Sequence, residues 1–180
     1  MTRLIDNVLE FSKLEKKSHP LELSAGSLEV PVREILQILE PHARACGFAL
    51  SLEVEEDLPV VSFHRDALQQ ILFNLVDNAL KYAREAERKE VQIRCERNAE
   101  GVLLAVYDFG PGVASEHQPH LFEAFYRGEQ ELTRRTKGTG IGLALVRGLA
   151  EQMNARVEAG NIEAVGFEVR VLFCVTKGAL

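Results

Sequence analysis

The chain has 180 residues, 46% of them hydrophobic, and carries 21 Lys and Arg against 27 Asp and Glu for a formal net charge of −6. That composition supports one compact domain with a short appendage, and the acidic balance, with no extended positive face, argues against nucleic-acid binding. No apolar run approaches the ~20 residues of a membrane helix, and the opening Met1-Thr2-Arg3-Leu4-Ile5-Asp6 lacks the apolar core of a signal peptide, so a soluble, cytoplasmic chain without membrane contact is expected.

Residues 1 to 17 read as a helix with an apolar stripe of Leu4, Val8 and Phe11, widened by Ile5, Leu9 and Leu14, ending at His19-Pro20. Such a stripe needs a partner, either the following domain (18 to 180) or another chain. Leu21 to Ser24 alternates as a short strand. A helix is expected from Pro31 to Cys46 with Val32, Ile35, Leu36 and Leu39 on one face, stopped by Gly47. Phe48–Val54 and Pro59–Phe63 read as extended. Asp66 to Ala83 has helical periodicity through Leu68, Ile71, Leu72, Leu75, Val76 and Ala79.

Strands follow at 91 to 97 and 102 to 108. Residues 115 to 140 are irregular and polar around an aromatic knot of Phe122, Phe125 and Tyr126. Ile141 to Met153 is a helix, and strands close the chain at 155 to 159 and 166 to 175, where Phe167, Val169, Val171, Phe173 and Val175 alternate onto one face. The expected fold is a two-layer α/β sandwich: a mixed, mostly antiparallel sheet, three helices on one face, and an N-terminal helix. Cys46, Cys95 and Cys174 are odd in number and fit no C-x-x-C pattern. They read as buried thiols in a reducing cytosol, and not as a disulfide or zinc framework.

Three local patterns carry chemistry. In Asn74-Leu75-Val76-Asp77-Asn78-Ala79-Leu80-Lys81-Tyr82, the two asparagines stand one helical turn apart, with Lys81 and Tyr82 a turn later on roughly the same side. An amide oxygen is a neutral hard ligand suited to Mg²⁺ that also takes phosphate oxygens, lysine adds a point charge for phosphate, and tyrosine a flat face for a base. The competing reading is a solvated helix face. Asp108-Phe109-Gly110-Pro111-Gly112 follows a strand: the carboxylate can accept from an exocyclic amine and the glycines admit a ligand close to backbone, although an ordinary tight turn looks the same.

Gly138-Thr139-Gly140-Ile141-Gly142-Leu143 runs straight into a helix, and bare backbone N–H groups there make an anion site. The spacing is neither that of a Walker loop nor of a dinucleotide fingerprint. Arg134, Arg135 and Lys137 form a local basic cluster able to hold a small polyphosphate. His64-Arg65-Asp66 and Asp108-Phe109-Gly110 spell two eukaryotic-type kinase motifs by coincidence, since Ile71 stands where that signature needs asparagine.

In this order the three patterns resemble the N box and the two glycine boxes of sensor histidine kinases, a branch of the ATPase superfamily shared with chaperone, mismatch-repair and topoisomerase ATPases. Leu121-Phe122-Glu123-Ala124-Phe125-Tyr126-Arg127 is similar to the F box, and Arg3 to Glu15 to the second helix of the family's dimerisation hairpin. The resemblance implies that Asn78, with Asn74 beside it, holds Mg²⁺ on ATP; that Lys81 contacts phosphate and Tyr82 lines the adenine pocket; and that Asp108 accepts the adenine amine, with Gly110, Gly112 and Val113 shaping the pocket. It also implies that Gly138, Thr139, Gly140, Ile141 and Gly142 face the phosphates, that Leu143 lies against the base, and that residues 126 to 137 form an ATP lid from which Arg127, Arg134, Arg135 or Lys137 reaches the γ-phosphate.

The resemblance thus implies an ATP:protein-histidine phosphotransferase domain that binds ATP or ADP and donates to a histidine on a dimerisation hairpin of its own kinase, a homodimer, for onward transfer to a response regulator. None of the five histidines has the acceptor context of an acidic residue followed by Arg and Pro. The last glycine box keeps only Gly166, and the lid is short. Two alternatives stand beside this: a serine-type kinase or ATPase branch, disfavoured because Asn74 cannot act as a general base where those branches carry glutamate, and a nucleotide-sensing or partner-binding module without catalysis.

Overall fold

The computed structural model describes residues 20–127, 139–162 and 165–175. The expected helix at 1 to 17 lies outside them, as do Arg134, Arg135, Lys137 and Gly138. Along the described chain run β1 (Ser24–Gly26), α1 (Glu29–Ala45), β2 (Ala49–Val54), β3 (Val61–Phe63), α2 (Arg65–Tyr82), β4 (Glu90–Asn98), β5 (Gly101–Asp108), α3 (Gly142–Gln152), β6 (Ala155–Asn161) and β7 (Phe167–Cys174), with a single 3-10 turn at Gln118–His120.

Five strands form the main sheet in the order β2-β4-β5-β7-β6, with β2 and β4 parallel and every other neighbour antiparallel. A parallel pair cannot be closed by a hairpin. Its crossover is β3 and α2, which lays the asparagine-bearing helix across β4 and β5. β1 and β3 make a separate two-stranded ribbon.

The inward residues of β4, β5 and β7 recur at every second position and face the helices. Val91, Ile93 and Cys95 of β4 and Val102, Leu104 and Val106 of β5 are buried, as are Val169, Val171 and Phe173 of β7. Against them α2 sets Leu68, Ile71, Leu72, Leu75 and Val76, and α3 sets Leu145, Val146 and Leu149. The outward side is covered by cross-strand charge pairs such as Arg170 with Glu158 at 3.1 Å. This is the two-layer sandwich expected, with three α-helices among the described residues.

Two expectations are corrected. The first strand lies at Ser24–Gly26, where its backbone meets β3, and the preceding Leu21 and Leu23 pack on the core. Cys95 is buried, and burial pushes its thiol up to about 12, but Cys46 is exposed at the end of α1 and Cys174 is only half-buried. Cys46 falls where the helix has finished its turn and the chain reverses at Gly47, so its side chain has no layer to enter.

Candidate functional site

One face of α2, the first glycine loop, the F-box segment and the start of α3 surround a cleft open to solvent. The 3.6-residue period of α2 puts Leu75, Asn78, Ala79 and Tyr82 on the cleft wall while Leu72 and Val76 face the core. Asn74 stands on the flank of that face, where its Nδ2 donates to the Gln70 carbonyl at 2.8 Å, which turns its amide oxygen the other way.

The start of α3 meets this flank. A Cβ built on Gly142 would lie 3.4 Å from Asn74 Oδ1 and 3.6 Å from Asn78 Oδ1, so the two amides converge where α3 opens, at the end of a helix that favours anions. Gly140 has φ +71, and a Cβ there would come within 2.8 Å of the Tyr126 carbonyl oxygen. Only glycine fits. Ile141 is fully buried in the core, whereas Leu143 reaches the cleft.

Lys81 rests elsewhere. Its Nζ is 2.6 Å from Asp77 Oδ2, and the other oxygen of Asp77 lies 3.7 Å from His42 Nε2 on α1. The pair is partly exposed and of the i,i+4 kind, worth only ~0.2–0.5 kcal/mol, so the ammonium can leave it at small cost.

Asp108 is the one buried charged side chain among the described residues, 6% exposed. Its burial follows from alternation: Val102, Leu104 and Val106 point inward, and the next inward position is the carboxylate. Desolvation pushes its pKa up to about 6, and the Gly110 N–H, donating to Oδ1 at 2.8 Å, pulls the other way. The carboxylate lines the cleft. Behind it Gly166 adopts φ +137, and a Cβ would lie 2.3 Å from the Asp108 carbonyl oxygen. The single glycine kept from the last glycine box is thus the one the packing on Asp108 requires.

The loop after Asp108 is held from the far edge of the sheet. Asn161, at the end of β6, accepts from the Val113 N–H at 2.8 Å and donates Nδ2 to the Val113 carbonyl at 2.8 Å. Gly112 and Val113 line the cleft, as does Arg127. Sequence reasoning missed Asn161, His117, Phe167 and Val169. The last three complete the cleft wall. Phe167 and Val169 were legible only as members of a buried face, and nothing local marks His117 or Asn161.

No group of three or more His, Cys, Asp or Glu side chains able to hold a metal occurs among the described residues. No helix among them is long and apolar enough to cross a membrane.

Residues 63–177 match the pattern of the histidine kinase-, DNA gyrase B- and HSP90-like ATPases. The chain is 38% identical over 165 residues to the swarming motility regulation sensor protein RssA of Serratia marcescens, covering 89% of this chain and 34% of that protein. It is 34% identical over 188 residues to the sensor histidine kinase AruS of Pseudomonas aeruginosa, covering 98% and 18%. The chain therefore spans about a third or less of these relatives. Among solved structures it is similar to full-length ShkA in complex with AMPPNP, with a TM-score of 0.80 and 29% identity over 99% of this chain and 37% of that one. It is also similar to the catalytic domain of the histidine kinase ThkA, with a TM-score of 0.70 and 26% identity over 86% and 96%.

Proposed function

The chain belongs to the histidine kinase-, DNA gyrase B- and HSP90-like ATPases, and from that premise we propose that it is the Mg·ATP-binding catalytic domain of a two-component sensor histidine kinase. It donates the γ-phosphoryl of ATP to a histidine on a dimerisation hairpin, from which a response regulator receives it. Residues 1 to 17 are a remnant of that hairpin and 18 to 180 the catalytic domain. Its relatives, sensor kinases of Serratia marcescens and Pseudomonas aeruginosa among them, support kinase activity in general.

The observation that carries this reading is the convergence of the two asparagine amides, the opening of α3 and the buried Asp108 around one cleft. Adenine enters the apolar end formed by Leu75, Ala79 and Leu143, with Tyr82 at its rim, and its amine donates to Asp108. The phosphates extend towards Asn74, Asn78 and the backbone N–H groups of Thr139 to Gly142. Lys81 swings from Asp77, Arg127 stands on the cleft wall, and Lys137 adds positive charge for the γ-phosphate.

The donor set fits Mg²⁺ in one way only. Two neutral amide oxygens bring no charge, so a divalent ion held there needs phosphate oxygens to complete and neutralise its shell. Bound with ATP, the ion neutralises phosphate charge and the protein's share is positioning and electrostatics. A nucleotide-sensing or partner-binding module without catalysis is the remaining reading.

Incubation with γ-labelled ATP, with and without the kinase's own complete hairpin, followed by detection of acid-labile phosphate, tests the assignment. Label is expected on the hairpin and not on the chain alone. Label on the chain alone overturns the claim that the acceptor lies outside it, and label on neither favours the module without catalysis.

A further inference from the structure

We propose that His117 is a positioning residue for the phosphate end of the cleft, acting through the hydroxyl of Tyr126. The proposal deepens the nucleotide-binding reading and rests on it for its meaning, though not for all of its test. His117 Nδ1 lies 2.8 Å from Tyr126 Oη, across nine residues of chain. The imidazole is largely buried, and its Nε2 is 3.6 Å from Glu116 Oε1. A carboxylate on that side favours the tautomer with the proton on Nε2, which assigns Nδ1 as acceptor and the tyrosine O–H as donor. The Tyr126 ring also packs on His120, centroids 5.0 Å apart, and His120 Nδ1 is 2.8 Å from Glu123 Oε1.

What Tyr126 holds in place explains why the tie matters. The residue before it, Phe125, sits at φ +67, a conformation costing a bulky side chain ~1–3 kcal/mol unless neighbours hold it. Its N–H donates to the Gly140 carbonyl at 2.9 Å, and the Tyr126 carbonyl oxygen is one of the atoms crowding Gly140. The residue after it, Arg127, lines the cleft. Three consecutive residues thus set Gly140 and Arg127 together, and His117 fixes the middle one to the segment that follows the first glycine loop. Moving Tyr126 moves both phosphate-facing groups at once.

The test uses His117→Leu, His117→Asn and Tyr126→Phe, singly and as the His117→Leu/Tyr126→Phe pair. In the free protein, amide exchange at Phe125 is expected to accelerate in His117→Leu and Tyr126→Phe and to stay near the parent in His117→Asn, whose amide oxygen can replace Nδ1. In calorimetry with Mg·ATP, each of the first two is expected to weaken affinity about fivefold, the scale of one hydrogen bond, and the double variant no further. Adenosine affinity is expected to change little.

A neutral Tyr126→Phe with a damaging His117→Leu overturns the proposal, because His117 would then act on nucleotide directly. Additive losses, or failure of His117→Asn to restore, overturn it as well. If the parent protein binds no nucleotide, the functional reading fails, while the exchange measurement still decides the tie.

Discussion

Gly142 and Asn78 meet where α3 opens against α2: a Cβ on Gly142 would stand 3.6 Å from both the nitrogen and the oxygen of the Asn78 amide. That is ordinary contact distance, as is the 3.4 Å to Asn74 Oδ1, so a methyl group fits there against both amides. Gly142→Ala is therefore expected to fold and to melt close to the parent, since Gly142 opens the helix without a positive φ and the added methyl meets its neighbours at contact distance. Its Mg·ATP affinity is expected to fall, because the methyl occupies the approach to the N–H groups. A thermal melt beside a calorimetric titration checks this, and unchanged affinity would remove the phosphates from this corner.

Asn78→Ala is expected to separate metal from nucleotide. The substitution removes a neutral oxygen from the cleft wall and leaves the Asn74 and Asp108 contacts in place. Affinity for ATP measured with Mg²⁺ is expected to drop by roughly tenfold or more, about 1.4 kcal/mol per factor of ten, whereas affinity measured in chelator is expected to stay close to the parent value. An equal loss with and without Mg²⁺ speaks against the metal role.

Asp108 predicts a stability effect with a definite sign. Burial pushes its pKa in the folded chain up to about 6 from the ordinary aspartate value of 3.8, so folding favours the protonated form. The penalty is absent below the unfolded value, grows between 3.8 and about 6, and is complete above that. Asp108→Asn, which keeps the acceptor for Gly110, is expected to be more stable than the parent at pH 7 by at most ~3 kcal/mol, less the cost of a buried amide N–H₂. The margin is expected to shrink as pH falls towards 4. The same variant is expected to relax the preference for ATP over GTP, because an amide can present either an acceptor or a donor. Urea titrations at pH 7 and pH 4.5, with competition by the two nucleotides, measure both effects, and a margin indifferent to pH would deny the buried-carboxylate origin.

Asp77→Asn is expected to strengthen ATP binding. Lys81 now spends its charge on Asp77, and removing that partner frees it for phosphate while costing only ~0.2–0.5 kcal/mol of helix stability. The gain is expected to vanish in the Asp77→Asn/Lys81→Met double variant. If the gain survives there, it comes from the lost negative charge alone and not from Lys81.

How much of this was readable beforehand varies by element and for physical reasons. The face of α2 was legible because one helix keeps its own period, and the inward run of β5 ending at Asp108 because a strand does too. The place of β7 between β5 and β6 was not, since it depends on pairings between residues far apart, such as Asp108 with Phe167. Asn161 and His117 were silent because each acts on a partner 48 or 9 residues away, with no local pattern to announce it. The resting place of Lys81 was legible and overlooked: Asp77 stands four residues before it, the favourable spacing for a carboxylate ahead of a lysine. Seven of the expected site residues, Asn78, Tyr82, Asp108, Gly112, Val113, Arg127 and Leu143, share the cleft wall. Asn74 and Gly142 sit at its corner.

The parallel pairing of β2 with β4 has a practical consequence for anyone trimming this protein. β2 lies upstream of residue 63, where the family pattern begins. A shortened protein starting there would lose α1 and would leave one side of β4, from Glu90 to Cys95, without its partner strand. An open row of N–H and C=O groups beside the apolar side chains of Val91 and Ile93 is a template for chain-to-chain pairing. Such a shortened protein would clump in solution whatever the state of its cleft, and its failure to turn over ATP would say nothing about the residues that line it.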